Sequence, residues 1–294
     1  MKIRIGYGLG TQGFAADAEP YAQVVDGLED LGFDSLWLAE RATGSVPDPV
    51  VALALAAGRT RRLKLGTSVL VLPGRNPVLL AKALASLDRL SAARLLLGFG
   101  LGIAERIEQQ AFGVAREDRA AWFDEALPLM RRLWTEDQVE HAGPRFRLDA
   151  MTLAVKPVQH PLEVWLGGRA PSELRRTGRL GEGWLASFTT PEEAAQGKTV
   201  VEEAAARAER EIDPEHFGVI IRYARREIPA NLATRRPGID LARVVPLGLP
   251  AVCERIEQFI QVGFSKFVLV PSEEPEDWRT ELEELASAVL PLQS

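Results

Sequence analysis

Few side chains in this sequence are of a type and spacing to do chemistry on their own. Glu40 closes the apolar run SLWLA (35–39) and could serve as an acid or base, or hold a structural ion pair. Arg41 beside it could bind an anion or stabilise developing negative charge, or pair with Glu40 or Asp48. Around these two lie glycine groups: Gly8 and Gly10, Gly98-Phe99-Gly100-Leu101-Gly102, and Gly167-Gly168-Arg169. Paired carboxylates and a lysine in an apolar slot are missing from these groups, which argues against hydrolase or aldolase chemistry. His141, His160 and His216 are far apart and share no ligand spacing, so no metal site is expected. Glycine-rich, charge-poor positions suit a bound group that carries the reactive centre itself, leaving the protein to hold, orient and tune it. Gly167-Gly168-Arg169 precedes a helix start marked by Pro171, so free backbone N–H groups and a positive dipole end could cradle a phosphate. The alternative is a glycine-rich turn that lets strand and helix pack closely.

The elements that must position these residues alternate between short apolar runs and amphipathic segments. Strands are expected at Ile3–Leu9, Ser35–Ala39, Leu63–Leu72, Leu95–Phe99, Val164–Leu166, Trp184–Ser187, Phe217–Ala224 and Phe267–Val270. Helices are expected from about Glu19 to Leu31, at Pro49–Arg59, from Pro77 to Leu90 behind an Asn76 cap, up to Trp134, and from Pro171 to about Leu180. TTPEE (189–193) opens another with a cap, a proline and acids. The runs are nearly continuously hydrophobic, as strands covered on both faces are. Eight such strands, each followed by a helix, predict an α/β fold, a (β/α)₈ TIM barrel. A barrel of this type takes about 250 residues. The surplus falls in two insertion segments, about 138–160 with hairpin-like turns and about 227–249 with RRPG and PLGLP. Neither resembles a linker, so residues 1–294 read as a single domain. Active sites of such barrels lie at the carboxyl ends of the strands, where the glycine groups, Glu40, Arg41, Ser68, Val69 and Arg75 fall.

The chain has 294 residues and a formal net charge of −6, with 46% apolar and 26% charged residues, an ordinary globular composition. A chain of this length buries on the order of 75% of its unfolded surface and needs no disulfide. One cysteine, Cys253, suits a reducing cytoplasm. Mild acidity argues against nucleic-acid binding. The longest apolar runs, such as Leu95–Ile103, fall short of the ~20 residues of a membrane span. The start MKIRIGYGLGTQGF has no signal-peptide pattern, so a cytoplasmic protein is expected.

Gly8-Leu9-Gly10-Thr11-Gln12-Gly13 is a literal G-x-G-x-x-G after the first strand, and Glu40 stands where a dinucleotide fold would put its ribose acid. In that motif the helix starts within the glycine loop. Here residues 14–18 intervene before the capped start at Glu19-Pro20, which favours a loop that lets a flat ligand approach the backbone.

The chain resembles the luciferase-like family of oxidoreductases, which includes bacterial luciferase and the deazaflavin (coenzyme F420)-dependent enzymes. The resemblance rests on LEDLGFDSLWLAE (28–40), residues 48–91, LLLGFGLG (95–102), LWTED (133–137), KPVQHPLEVWLGG (156–168), RTGRLGEGWLAS (176–187) and GFSKFVLVP (263–271). It implies a barrel holding F420 or, alternatively, FMN at the strand ends, with GFSKFVLVP and LWLAER closer to the deazaflavin subgroup. It places Ser68–Val69 at the bulge under the cofactor ring, where a non-proline cis peptide is common. Gly167 and Gly168 fall at the cofactor phosphate, and Gly100 and Gly102 beside the ring or its ribityl chain. Many relatives have histidine after the acid ending strand two, and the sugar-phosphate dehydrogenases of the family use it with a nearby tryptophan. Arg41 stands there instead and the tryptophan is missing, which disfavours that activity.

The resulting expectation is hydride transfer between a deazaflavin and a small organic substrate, in a homodimer. One alternative is an FMN-dependent monooxygenase served by a flavin reductase, and another is a cofactor-binding protein without turnover. Arg75 could reach a phosphate or decorate the start of a helix. Cys253 at helical spacing with Val252, Ile256 and Phe259 reads as a small buried hydrophobe. His141 and His160 read as surface residues, and 204–210 as a solvated helix face.

Overall fold

The computed structural model describes every residue of the chain except Gln12, in the G-x-G-x-x-G loop, and Arg236-Pro237 of the RRPG turn, which lie outside the described residues. Its strands are β1 (Arg4–Gly10), β2 (Ser35–Leu38), β3 (Lys64–Thr67), β4 (Leu70–Val71), β5 (Leu95–Gly100), β6 (Val139–Ala142), β7 (Arg147–Met151), β8 (Val164–Gly167), β9 (Gly183–Ser187), β10 (Phe217–Tyr223) and β11 (Lys266–Pro271). The helices are α1 (Ala18–Leu31), α2 (Pro49–Arg59), α3 (Pro77–Leu90), α4 (Arg106–Phe112), α5 (Arg119–Thr135), α6 (Pro171–Leu180), α7 (Pro191–Arg207), α8 (Ala230–Arg235), α9 (Leu241–Val244), α10 (Gly248–Gln261) and α11 (Trp278–Val289).

All pairings of the main sheet are parallel, in the order β3-β2-β1-β11-β10-β9-β8-β5-β4, and β3 also pairs with β5, so the sheet closes on itself. Because β3 and β4 are two halves of one stave, the ring has eight staves, a (β/α)₈ TIM barrel as expected. The third stave departs from the expected continuous run Leu63–Leu72: it breaks at Ser68–Val69, whose peptide bond is cis. Tertiary bonds impose the break. Ser68 N–H donates to the Leu38 carbonyl at 2.8 Å, and Glu40 N–H to the Val69 carbonyl at 3.1 Å. Thr67 Oγ1 meanwhile exchanges two hydrogen bonds of 2.9 Å with the Gly98 backbone.

The barrel lumen is packed by Trp37, Trp165, Leu185, Val268 and Val270, a cluster distinct from the larger layer between sheet and helices. The two indoles fit because the staves facing them carry glycine. A Cβ on Gly66 would fall 2.3 Å from Trp37 Cδ2, and one on Gly183 2.5 Å from Trp165 Cδ2.

Side-chain caps fix where the helices begin. Asp48 accepts from Val50 and Val51 N–H, Asn76 from Val78 and Leu79 N–H, and Thr190 from Glu193 N–H. The first insertion is an antiparallel β6–β7 hairpin, and the second carries α8, α9 and an isolated bridge from Ala224 to Leu247. Three expectations need correction. His141 is half-buried, with Nε2 3.0 Å from Glu125 Oε1. Cys253 is half-buried rather than buried, its thiol donating to the Ala288 carbonyl at 3.4 Å. Ala204 and Ala205 face the core because α7 packs on α6, so 204–210 is not uniformly solvated. Among the described residues no helix is long and apolar enough to cross a membrane.

Candidate functional site

At the carboxyl ends of the staves the chain forms a recess lined by Gly10 and Thr11 of the first loop, Ala39, Ser68, Ser187 to Thr189, Ile220, Arg222 and Val270. Arg222 gives it its charge. It lies on β10, 9% exposed, with Nη1 donating to the Pro271 carbonyl at 3.0 Å and Cζ 6.0 Å from the centre of the Phe188 ring. Gly10 leaves the space it uses: at φ +65° a Cβ there would come 2.8 Å from Arg222 Nη2. Sequence reasoning missed Arg222, although one cation inside the buried run FGVIIRY was a legible signal, since charge is seldom placed between two covered faces.

The bulge is held from both sides. Val69 extends between neighbouring staves, and a Cβ on Gly100 or Gly167 would fall 2.5 or 2.8 Å from its methyl groups. Gly8 similarly makes room for Val270 and Val268 inside the lumen, and Gly102, at φ +77°, for Val71 and the buried Arg119. Gly8, Gly100, Gly102 and Gly167 therefore accommodate the protein's own side chains, while Gly10 and Ser68 border the recess. Gly168, at φ +124°, accepts from Trp184 Nε1 at 2.9 Å, and Arg169 reaches across to the Phe188 carbonyl on the rim of the recess at 3.3 Å.

Glu40 and Arg41 line a separate recess with Asp48, Gly74, Arg75 and Phe112, so the fold does not bring them together with Gly10 and Arg222. Glu40 is ion-paired with Arg75 and accepts from Val71 N–H at 2.7 Å, while Arg75 Nε donates to the Val71 carbonyl at 3.1 Å. Burial pushes the Glu40 carboxyl above its ordinary value, against the opposing pull of Arg75. Arg41 pairs with neither Glu40 nor Asp48, the partners sequence reasoning offered. Its partners are Glu105 and, at 3.6 Å, Glu108 of α4, which folds over the loop after β2. Glu108 also accepts from Ala42 N–H at 3.1 Å and Thr43 N–H at 2.9 Å.

This arrangement can bind a flat, anionic or electron-rich group over the mouth while supplying little acid–base chemistry of its own. Comparison with known proteins gives the same architecture. The family model for luciferase-like monooxygenases matches residues 2–235. An F420-dependent glucose-6-phosphate dehydrogenase of Intrasporangium calvum is 34% identical over 221 residues, 68% of this chain and 65% of that enzyme. The match thus spans just under two thirds of the curated relative's length. An F420-dependent secondary alcohol dehydrogenase solved with an F420–acetone adduct superposes with a TM-score of 0.85 at 19% identity, both chains covered completely. The oxygenating constituent of 3,6-diketocamphane monooxygenase from Pseudomonas putida, solved with FMN, superposes with a TM-score of 0.80 at 18% identity, covering 100% of this chain and 99% of the other. At these identities the two superpositions speak for the fold. The family match over residues 2–235 speaks for descent: the chain belongs to the luciferase-like monooxygenase family of enzymes.

Proposed function

We propose that the protein is an oxidoreductase that holds coenzyme F420 over the barrel mouth and passes a hydride between it and a small organic substrate. The observation that carries this reading is Arg222, a buried cation in a recess otherwise lined by glycine, hydroxyl and apolar groups. A bound deazaflavin supplies the hydride donor or acceptor, chemistry no side chain here provides. The residues present fit it. Arg222 offers fixed positive charge where a reduced ring would carry negative charge, at low dielectric and without reorganisation. Ser68 and Gly10 present backbone with little side chain in the way, and Ile220, Phe188 and Val270 exclude water. Gly168 and Arg169 stand at the start of α6, where a phosphate tail would be anchored. Gly8, Gly100, Gly102, Gly167 and Val69 support this surface from behind, and Glu40 and Arg41 brace the loops around it.

A second reading, an FMN-dependent monooxygenase fed by a partner reductase, is favoured by the family match to monooxygenases. Equilibrium titration of F420 and FMN, followed by oxygen uptake with reduced FMN, separates the two. Micromolar binding of F420 with little oxygen uptake supports the first reading, whereas oxygen consumption coupled to substrate turnover supports the second.

The homodimer belongs to the same proposal. The outer face of α2 carries Val51, Ala54, Leu55 and Gly58, with one exposed charge, Arg59, at its end paired to Asp26, and Leu79 of the adjacent α3 is 68% exposed. A largely apolar face of this kind is suited to burial against a second copy.

A further inference from the structure

Helices α6 and α7 pack closely at Gly178, where a Cβ would fall 2.4 Å from the Val201 carbonyl oxygen. Beside that contact the small side chains of Ala204 and Ala208 leave a groove of about 500 Å³, bordered also by Ser172. Four guanidinium groups line it: Arg175, Arg176 and Arg179 of α6 and Arg207 of α7. The groove shares no residue with the recess at the mouth.

The carboxylates within reach do not balance these cations. Arg176 is 8% exposed, its Cζ 5.9 Å from the centre of the Phe123 ring and its Nε donating to Asp124 Oδ1 of α5 at 2.6 Å. Among the described residues its two Nη groups donate to nothing, so a buried cation is left only partly satisfied. Arg179 draws on the same carboxylate, with Nη2 3.1 Å from Asp124 Oδ2. Arg207 pairs with Glu203 one turn back, both exposed, an arrangement that contributes little. Arg175 has no ion-pair partner among the described residues. In a chain of net charge −6, four guanidinium groups thus converge on two carboxylates.

We propose that this groove is a binding site for an oligophosphate, separate from the mouth and independent of the cofactor reading. Each planar guanidinium offers paired donors that match phosphate oxygens, and arginines from two helices can close on several phosphates at once. A lone carboxylate would satisfy one of these forks and leave the other cations facing one another. Adjacent phosphates engage the Nη donors of Arg176 at the floor together with the exposed arginines at the rim. The volume is that of a small-molecule site, and the alanine floor leaves the phosphates room to approach. Inorganic polyphosphate and nucleoside triphosphates share this chemistry.

The test is calorimetric titration of the intact protein with inorganic tripolyphosphate, ATP and citrate, at low and at physiological salt. One tripolyphosphate per chain is expected to bind saturably and more weakly as salt rises, with citrate bound about tenfold less tightly. Arg175→Ala, which breaks no ion pair, is expected to weaken binding about fivefold, and Arg175→Ala with Arg207→Ala about thirtyfold. Arg279→Ala, on exposed α11, leaves it unchanged. Tighter binding of ATP than of tripolyphosphate assigns the site to nucleotides, and equal binding assigns it to the phosphate chain alone. Absence of saturable binding, affinities indifferent to Arg175 and Arg207, or equal loss in the Arg279 variant overturns the inference. So does competition between tripolyphosphate and F420 or FMN, which would put the phosphates in the mouth recess. Failure of F420 to bind leaves the inference standing, as failure of tripolyphosphate leaves the functional reading standing.

Discussion

A methyl group of Val69 occupies the space that a side chain on Gly100 would need, the built Cβ falling 2.5 Å from Val69 Cγ2. The two residues sit on neighbouring staves, paired through β4 and β5, with Val71 opposite Gly100 in the ladder. The glycine end of β5 thus lets the bulge after β3 close down on the barrel, and the bulge in turn presents Ser68 to the recess. The ligand-facing surface is shaped by a contact the ligand never touches.

Gly100→Ala is therefore expected to lower stability by about 1–3 kcal/mol, the cost of overpacking a closed core, measured by urea unfolding. Val69→Ala should relieve part of that cost in the double variant, giving a coupling of about 1 kcal/mol in a double-mutant cycle. Additive single effects would mean that the two side-chain positions do not compete for the same space.

How much of this was legible in the sequence depended on how local each signal is. Helices α2 and α3 were read to the residue, with Pro49 and Asn76-Pro77 marking their starts. The start of α7 was read from TTPEE for the same reason. The break in the third stave was invisible to periodicity, since every residue from 63 to 72 suits a strand. It is imposed by Leu38 and Glu40, about thirty residues upstream, and only family resemblance pointed to it. The partners of Arg41 were missed because Glu105 lies 64 positions away on a helix whose fold-back has no sequence signature. The glycines were placed correctly at strand ends, but which of them face the recess and which face valines is decided by packing between staves.

The Arg41–Glu108 clamp should be acid-labile. Burial opposes ionisation of Glu108, but hydrogen bonds from Thr43 and Ala42 and the charge of Arg41 outweigh it and hold the carboxyl below 4.5. A carboxyl depressed in the folded state contributes stability above its unfolded value, and that contribution is lost as pH falls through the folded value. Glu108→Gln is expected to cost about 1–3 kcal/mol at pH 7, with the gap to wild type closing as pH falls below the ordinary carboxyl value. Urea melts across that range check it, and a gap independent of pH would show that the charge of Glu108 is not what binds the loop.

The apolar stretch on the outer face of α2 predicts an oligomer that added charge can break. Val51 and Leu55 are 69% and 49% exposed and lie one turn apart. Leu55→Glu combined with Val51→Lys is expected to convert a dimer to a folded monomer, read by light scattering coupled to size exclusion. A wild type that is monomeric at micromolar concentration would remove this face as the interface.

Glu40 tests whether an acid near the mouth is reactive or structural. Its carboxylate pairs with Arg75 and accepts from Val71 N–H, immediately beyond the bulge. Its raised pKa means that ionisation works against folding, so this carboxyl withdraws stability as pH climbs from its unfolded value near 4.5 to its higher folded value. Glu40→Gln abolishes that pH dependence but leaves the Arg75 guanidinium beside an amide, with Asp48 at 3.7 Å as its remaining carboxylate partner. Because the neutral form is the one the fold tolerates better, the variant is expected to match or slightly exceed wild-type stability at pH 7, measured by urea unfolding. Cofactor affinity and the shape of the pH profile of turnover should then stay close to wild type. A variant with wild-type stability and cofactor affinity but turnover reduced a hundredfold or more would instead make Glu40 a proton donor or acceptor in the reaction.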